Sequence, residues 1–130
     1  MTEGDSGKVA YSKNKYHASR TTVNGKRFDS KKESDRWQEL TLLERAHVIK
    51  DLQRQKKFVL IPAQYDTSGK KKKLLEREVC YYADFFYREV ETGRIVVEDV
   101  KGYKDGQAYR MYVVKRKLML YVYGIRIREI

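Results

Sequence analysis

Hydrophobic and polar positions change their period several times along the chain, and each change marks an element. Over residues 30–47 apolar side chains recur at helical spacing through Trp37, Leu40 and Leu43, which predicts a helix. Ser30-Lys31-Lys32-Glu33 opens it as a capping box, serine and glutamate satisfying each other's free backbone donors. Ile49 and Leu52 extend the same stripe. Phe58-Val59-Leu60-Ile61 reads as a first strand, ended by Pro62. Residues 79–87 and 95–100 are rich in β-branched and aromatic types and predict two more strands. The seven residues between them, 88–94, suit a hairpin and carry Gly93 for a tight turn. Residues 109–123 set Met111, Val114, Leu118 and Val122 on one stripe with Gly124 as a stop, a second helix, although their β-branched and tyrosine content also suits a strand. Residues 125–130 alternate as a terminal strand. Helix, three strands, helix, strand is the order of an α/β (α+β) fold around a small mixed sheet. Ahead of it, Asn24-Gly25 between two short β-favouring segments predicts an N-terminal hairpin arm. Residues 1–14 read as a loose, flexible tail, and 15–130 as one domain.

Charge brings in the partner. Lysine and arginine number 29 against 18 acidic residues, a formal net charge of +11. Such an excess favours a polyanion, most often nucleic acid. Lys13, Lys15, His17, Arg20, Lys26 and Arg27 form a basic arm, in which His17 suits a solvent or phosphate contact because no second histidine stands at ligand spacing. Lys70, Lys71, Lys72 and Lys73 follow a turn; the run is either a solvated loop or a phosphate-contacting tip. Lys115, at the edge of the second helical stripe, is a further candidate contact. Cys80 is the only cysteine, which excludes an internal disulfide and a cysteine zinc cluster, and its mid-strand place suits a small buried hydrophobe. Eleven tyrosines against four phenylalanines suit a wet binding surface or a tyrosine-rich core. No apolar run approaches the roughly 20 residues of a membrane span, nor does the N-terminus carry a signal-peptide hydrophobic stretch, so a soluble, cytoplasmic protein is expected.

The candidate chemistry lies in the central hairpin. Alternation on a strand sets Asp99 and Lys101 on one face with Val97 and turns Glu98 to the other. A turn symmetric about Glu91 and Thr92 places Asp84 directly opposite Asp99, whereas a three-residue loop with a bulge at Gly93 turns Asp99 away. Like charges facing one another across a ladder are destabilising, and a divalent cation relieves them. Glu33, one turn before Trp37, is either a cap or an inward third carboxylate. The plainer alternative is a structural Asp99–Lys101 ion pair with an unrelated Asp84. A one-residue bulge would present Glu98 in place of Asp99.

Asp84, then Asp99-Val100-Lys101, preceded by a helix bearing Glu33, resembles the PD-(D/E)XK nuclease superfamily. More narrowly, Lys15-Tyr16-His17-Ala18, Phe28 to Glu33, Ile61-Pro62-Ala63-Gln64, Ala83-Asp84-Phe85 and Val97 to Gly102 are similar to small phage-encoded endonucleases of the Holliday-junction-resolvase-like branch. The resemblance implies a restriction-endonuclease-like αβββαβ core, metal ligation by Asp84, Asp99 and Glu33, a catalytic Lys101, magnesium with manganese as substitute, and a homodimer. Ala83 stands where the namesake motif has proline. The expectation is a metal-dependent, structure-selective DNA endonuclease acting on branched or four-way DNA in recombination and genome processing. The alternatives are a non-catalytic nucleic-acid binder, with tyrosines stacking on bases, and a nuclease for nicked, flapped or single-stranded DNA.

Overall fold

The computed structural model describes residues 21–23, 26–28, 30–101 and 104–130. Two short strands, β1 (Thr21–Val23) and β2 (Lys26–Phe28), pair antiparallel with Thr21 opposite Phe28, the arm expected around Asn24-Gly25. Helix α1 (Lys31–Arg45) follows at once, the backbone N–H of Glu33 donating to Ser30 Oγ at 3.1 Å as a capping serine requires. The chain forms two compact units that divide at Glu39 and Leu40, within α1. In the first, the rings of Phe28 and Trp37 lie 6.3 Å apart.

The second unit is built on a mixed four-stranded sheet. Its strands are β3 (Ile49–Ile61), β6 (Val79–Glu89), β7 (Ile95–Asp99) and β8 (Arg128–Glu129), in that spatial order. β3, β6 and β7 run antiparallel to their neighbours, and β8 lies parallel to β7. A separate two-stranded ribbon, β4 (Gln64–Asp66) and β5 (Lys73–Glu76), intervenes between β3 and β6. The parallel β7–β8 pair needs a crossover, supplied by α2 (Gly106–Tyr123). Tyr112 and Met119 of α2 pack with Phe58, Leu60, Tyr81, Ala83, Phe86 and Val97 of the sheet in the main core. α2 begins behind Asp105, whose carboxylate accepts from the Gly106 N–H, and ends at Gly124, in the left-handed region at φ 70°.

The element order agrees with the pattern of the sequence apart from the β4–β5 ribbon, which the pattern does not announce, and three boundaries differ. Ile49 and Leu52, read as the end of the first helical stripe, belong to β3, which starts nine residues before Phe58. The reason is local. Asp51 adopts left-handed backbone, at φ 59°, and the β3–β6 register shifts between Lys50 and Gln53, so alternation is broken between Ile49 and Leu52; beyond it the inward positions Arg54 and Lys56 are charged and only half-buried, and announce no strand. The second helix starts at Gly106, three residues before the expected start at Tyr109. Its buried side chains are Tyr112 and Met119, while Met111, Val114 and Val122 of the expected stripe are about half exposed. The terminal strand is only two residues long.

Candidate active site

The β6–β7 hairpin positions the two carboxylates. Phe85 pairs with Glu98, Phe86 with Val97 and Tyr87 with Val96, and the Glu89 N–H donates to the Arg94 carbonyl at 2.9 Å. Four residues, 90–93, close the turn, with Gly93 at φ 73°. One further step of this register sets Asp84 opposite Asp99, as the symmetric turn requires; the bulge that would turn Asp99 away, or present Glu98, does not form. Paired residues share a face. Asp84 and Asp99 therefore lie on the side of Phe86 and Val97, against α2, and Glu98 lies with Phe85 and Tyr87 on the other. There Glu98 is fully buried, accepts a short hydrogen bond from the Tyr87 hydroxyl, and faces the Arg128 guanidinium at 3.8 Å.

Each carboxylate is held by specific donors. Asp84 accepts from the Val100 N–H at 2.8 Å and from Gln55 Nε2 at 3.3 Å. Gln55 reaches it from β3, where its backbone is left-handed at φ 51° although the ladder on either side keeps one register. Backbone of that kind in a non-glycine residue stores strain and clusters at functional sites. Burial, and then the charge of Asp99, pushes the Asp84 carboxyl up to about 6. Asp99 is buried, accepts from the Tyr81 hydroxyl at 2.8 Å through Oδ1, and turns Oδ2 to the Lys101 ammonium. Burial, followed by the Asp99 charge, moves the Tyr81 phenol upward, so it acts as a donor throughout the ordinary pH range.

Lys101 is fixed from three sides. Its N–H donates to the Ile130 carbonyl at 3.2 Å, the Ile130 N–H returns a bond to Asp99 O at 2.9 Å, and its ammonium sits 3.4 Å from the centre of the Tyr112 ring. Tyr112 is itself anchored: its hydroxyl donates to Glu129 Oε2 at 2.8 Å, and Arg116 donates to the same oxygen at 2.9 Å. Sequence reasoning found Asp84, Asp99 and Lys101, and they meet. It missed Gln55, Tyr81 and Tyr112, whose neutral side chains carry no spacing signal; only the tyrosine excess hinted at them.

The donor set suits a hard divalent cation. Two carboxylates of like charge, Asp99 buried and Asp84 half-buried, share one face, and Asp99 Oδ2 accepts no well-oriented hydrogen bond. Magnesium keeps several waters and is held by as few as one or two carboxylates. Among the described residues no group of three or more His, Cys, Asp or Glu is placed to hold a metal. Glu33 is buried in the first turn of α1, in the other compact unit.

Of the expected DNA contacts, Lys13, Lys15, His17 and Arg20 lie outside the described residues, and Lys26 and Arg27 belong to β2. Lys70 to Lys73 are all exposed at the end of the β4–β5 ribbon, the Lys72 ammonium 4.1 Å from the centre of the Tyr65 ring. Lys115 is half-buried on α2. Among the described residues no helix is long and apolar enough to cross a membrane.

A family model described as "Protein of unknown function (DUF1064)" matches residues 13–128, and the chain belongs to that family. No curated protein and no solved structure matches it.

Proposed function

We propose that this member of the DUF1064 family is a metal-dependent DNA endonuclease of PD-(D/E)XK type, acting as a Holliday junction resolvase in phage recombination inside the host cytoplasm. The observation that carries the reading is the facing Asp84–Asp99 pair, Asp99 buried and Asp84 half-buried, with the Lys101 ammonium against Asp99. A structural ion pair needs only one of those carboxylates. A second acid on the same face, raised to about 6, costs stability once ionised, and a bound cation would offset that cost.

Asp84 and Asp99 would hold magnesium, or manganese in its place. When bound, the cation polarises the phosphodiester and lowers the pKa of an attacking water. The protein's own groups do the rest. Tyr81 keeps the Asp99 carboxylate oriented. The Tyr112 ring and the Ile130 bonds hold the Lys101 amine beside Asp99, where it can orient the water and steady negative charge on the phosphoryl oxygens. Gln55 and the Val100 N–H keep Asp84 in place after it loses its proton. The arm at 13–27, the Lys70–Lys73 tip and Lys115 supply backbone contacts, and a two-fold homodimer would present two such sites to opposed strands of a branched substrate.

The test is incubation of the protein with labelled four-way junction, flap, nicked duplex, duplex and single strand, with and without magnesium. Paired symmetric cuts in the junction, lost in Lys101→Ala with binding retained, are expected. Cutting confined to the flap, nicked, linear or single-stranded substrates removes the resolvase assignment and leaves a nuclease. Metal-independent binding with no cutting anywhere leaves only a nucleic-acid binder. Glu33→Gln keeps the cap, since glutamine serves that position as glutamate does, and removes only the charge: unchanged cutting leaves Glu33 a cap, and loss of cutting at unchanged stability gives its carboxylate a part in the chemistry.

A further inference from the structure

An open cleft of about 570 Å³ lies between the C-terminal half of α2 and the segment entering β8, lined by Arg116, Lys117, Leu120, Arg126, Ile127 and Glu129. Its charge is three cations against one carboxylate. That carboxylate is already engaged: Glu129 receives Tyr112 and Arg116, with Lys104 at 3.5 Å. Although burial works against it, the hydrogen bonds from Tyr112 and Arg116 hold Glu129 below the ordinary range, so it stays ionised and fixes the Arg116 guanidinium at the cleft wall. Lys117 and Arg126 are exposed, and neither forms an ion pair with another described residue.

The cleft adjoins the carboxylate pair. Glu129 is the register partner of Asp99 across the parallel β7–β8 pair, and strands so paired lie about 4.8 Å apart. Tyr112 joins the two places, its ring under Lys101 and its hydroxyl on Glu129. Scattered lysines on a basic protein are usually a solvated surface. Here cations from two separate elements converge on one concavity, with Leu120 and Ile127 as apolar walls that lower the local dielectric and strengthen attraction for an anion.

We propose that this cleft binds a backbone phosphate of the DNA strand that reaches Asp84 and Asp99, next to the phosphodiester to be cut. The proposal rests on the nuclease reading and adds Arg116, Lys117 and Arg126 as contacts that set how the strand enters the site. Arg116 is oriented by Glu129; Lys117 and Arg126 close on the phosphate from either side.

The experiment measures binding of labelled four-way junction by anisotropy, in EDTA, across a tenfold range of potassium chloride. The double variant Lys117→Ala/Arg126→Ala is compared with the unaltered protein and with Lys50→Ala/Arg77→Ala, which removes the same two charges elsewhere, Lys50 being on β3 at the opposite edge of the sheet. Both cleft positions are exposed, so an unchanged melting temperature is expected. The slope of log K against log salt should become shallower by about 0.9 for each phosphate that the variant no longer neutralises, and affinity near 0.1 M salt should fall about eightfold for each such phosphate relative to a 1 M reference. The control should show a clearly smaller change. A double variant indistinguishable from the control overturns the proposal, and so does an unaltered protein that does not bind DNA. If inorganic phosphate perturbs the NMR signals of the cleft while DNA affinity matches the control, the cleft belongs to a free anion and the strand contact is refuted. Absence of magnesium-dependent cutting with the salt effect intact removes the nuclease reading alone and upholds the cleft as a phosphate site.

Discussion

Replacing Asp84 by asparagine should make the metal-free protein more stable at pH 8. Moving a carboxyl from its ordinary 3.8 to about 6 corresponds to about 3 kcal/mol of unfavourable interaction once the group is ionised. The cause is burial first and the Asp99 charge second, and asparagine removes both. It also removes an acceptor: the carboxylate offers two oxygens to the Val100 N–H and the Gln55 amide, and asparagine offers one, a loss of about 1 kcal/mol. The net gain is about 1–2 kcal/mol, a rise of about 3–8 °C in melting temperature for a chain of this length. Its pH dependence follows from the sign. The folded-state value lies above the unfolded one, so Asp84 costs stability fully above pH 6 and nothing below 3.8. Thermal melts in EDTA should therefore show the variant ahead at pH 8 and level or behind at pH 4. Adding magnesium should raise the melting point of the unaltered protein and leave the variant's nearly unchanged. A variant that melts lower at pH 8, or one whose advantage is the same at pH 4, refutes the idea that these carboxylates repel one another.

Three further outcomes follow from the same geometry. Asp99→Asn should abolish magnesium-dependent cutting, whereas Glu98→Gln should keep it and lower stability, because Glu98 is buried beside Tyr87 on the opposite face and faces the exposed Arg128; cleavage assays beside thermal melts separate the two. Cutting rate should rise with pH through about 6, since Asp84 must release its proton before a cation binds, and a rate that falls across this interval contradicts the assignment. Gly124→Ala should cost about 1 kcal/mol in a denaturant titration without changing cutting, because its backbone sits at φ 70°.

Much of this site is legible in the chain because it lies on a regular hairpin. A four-residue turn with Gly93 at positive φ leaves one register, and that register alone decides that Asp84 faces Asp99 and that Glu98 does not. Where backbone departs from regularity, the pattern misleads. The register shift at Asp51 breaks the alternation of β3, so Ile49 and Leu52 look helical when read against Leu40 and Leu43. On α2 the apolar residues nearly surround the axis, and what selects the buried face is the pairing of Tyr112 with Glu129 and Lys101, a contact between distant segments that no local period encodes. Gln55 and Tyr81 escape for the same reason. Their roles come from where β3 and β6 bring them.

Manganese binding tests the central claim most directly. Titrating Mn²⁺ into the unaltered protein, followed by the loss of its free-ion electron paramagnetic resonance signal at pH 7.5, should show a site lost in Asp84→Asn and in Asp99→Asn and retained in Lys101→Ala. Equal manganese binding by all four proteins, or none by the unaltered chain, would contradict the account.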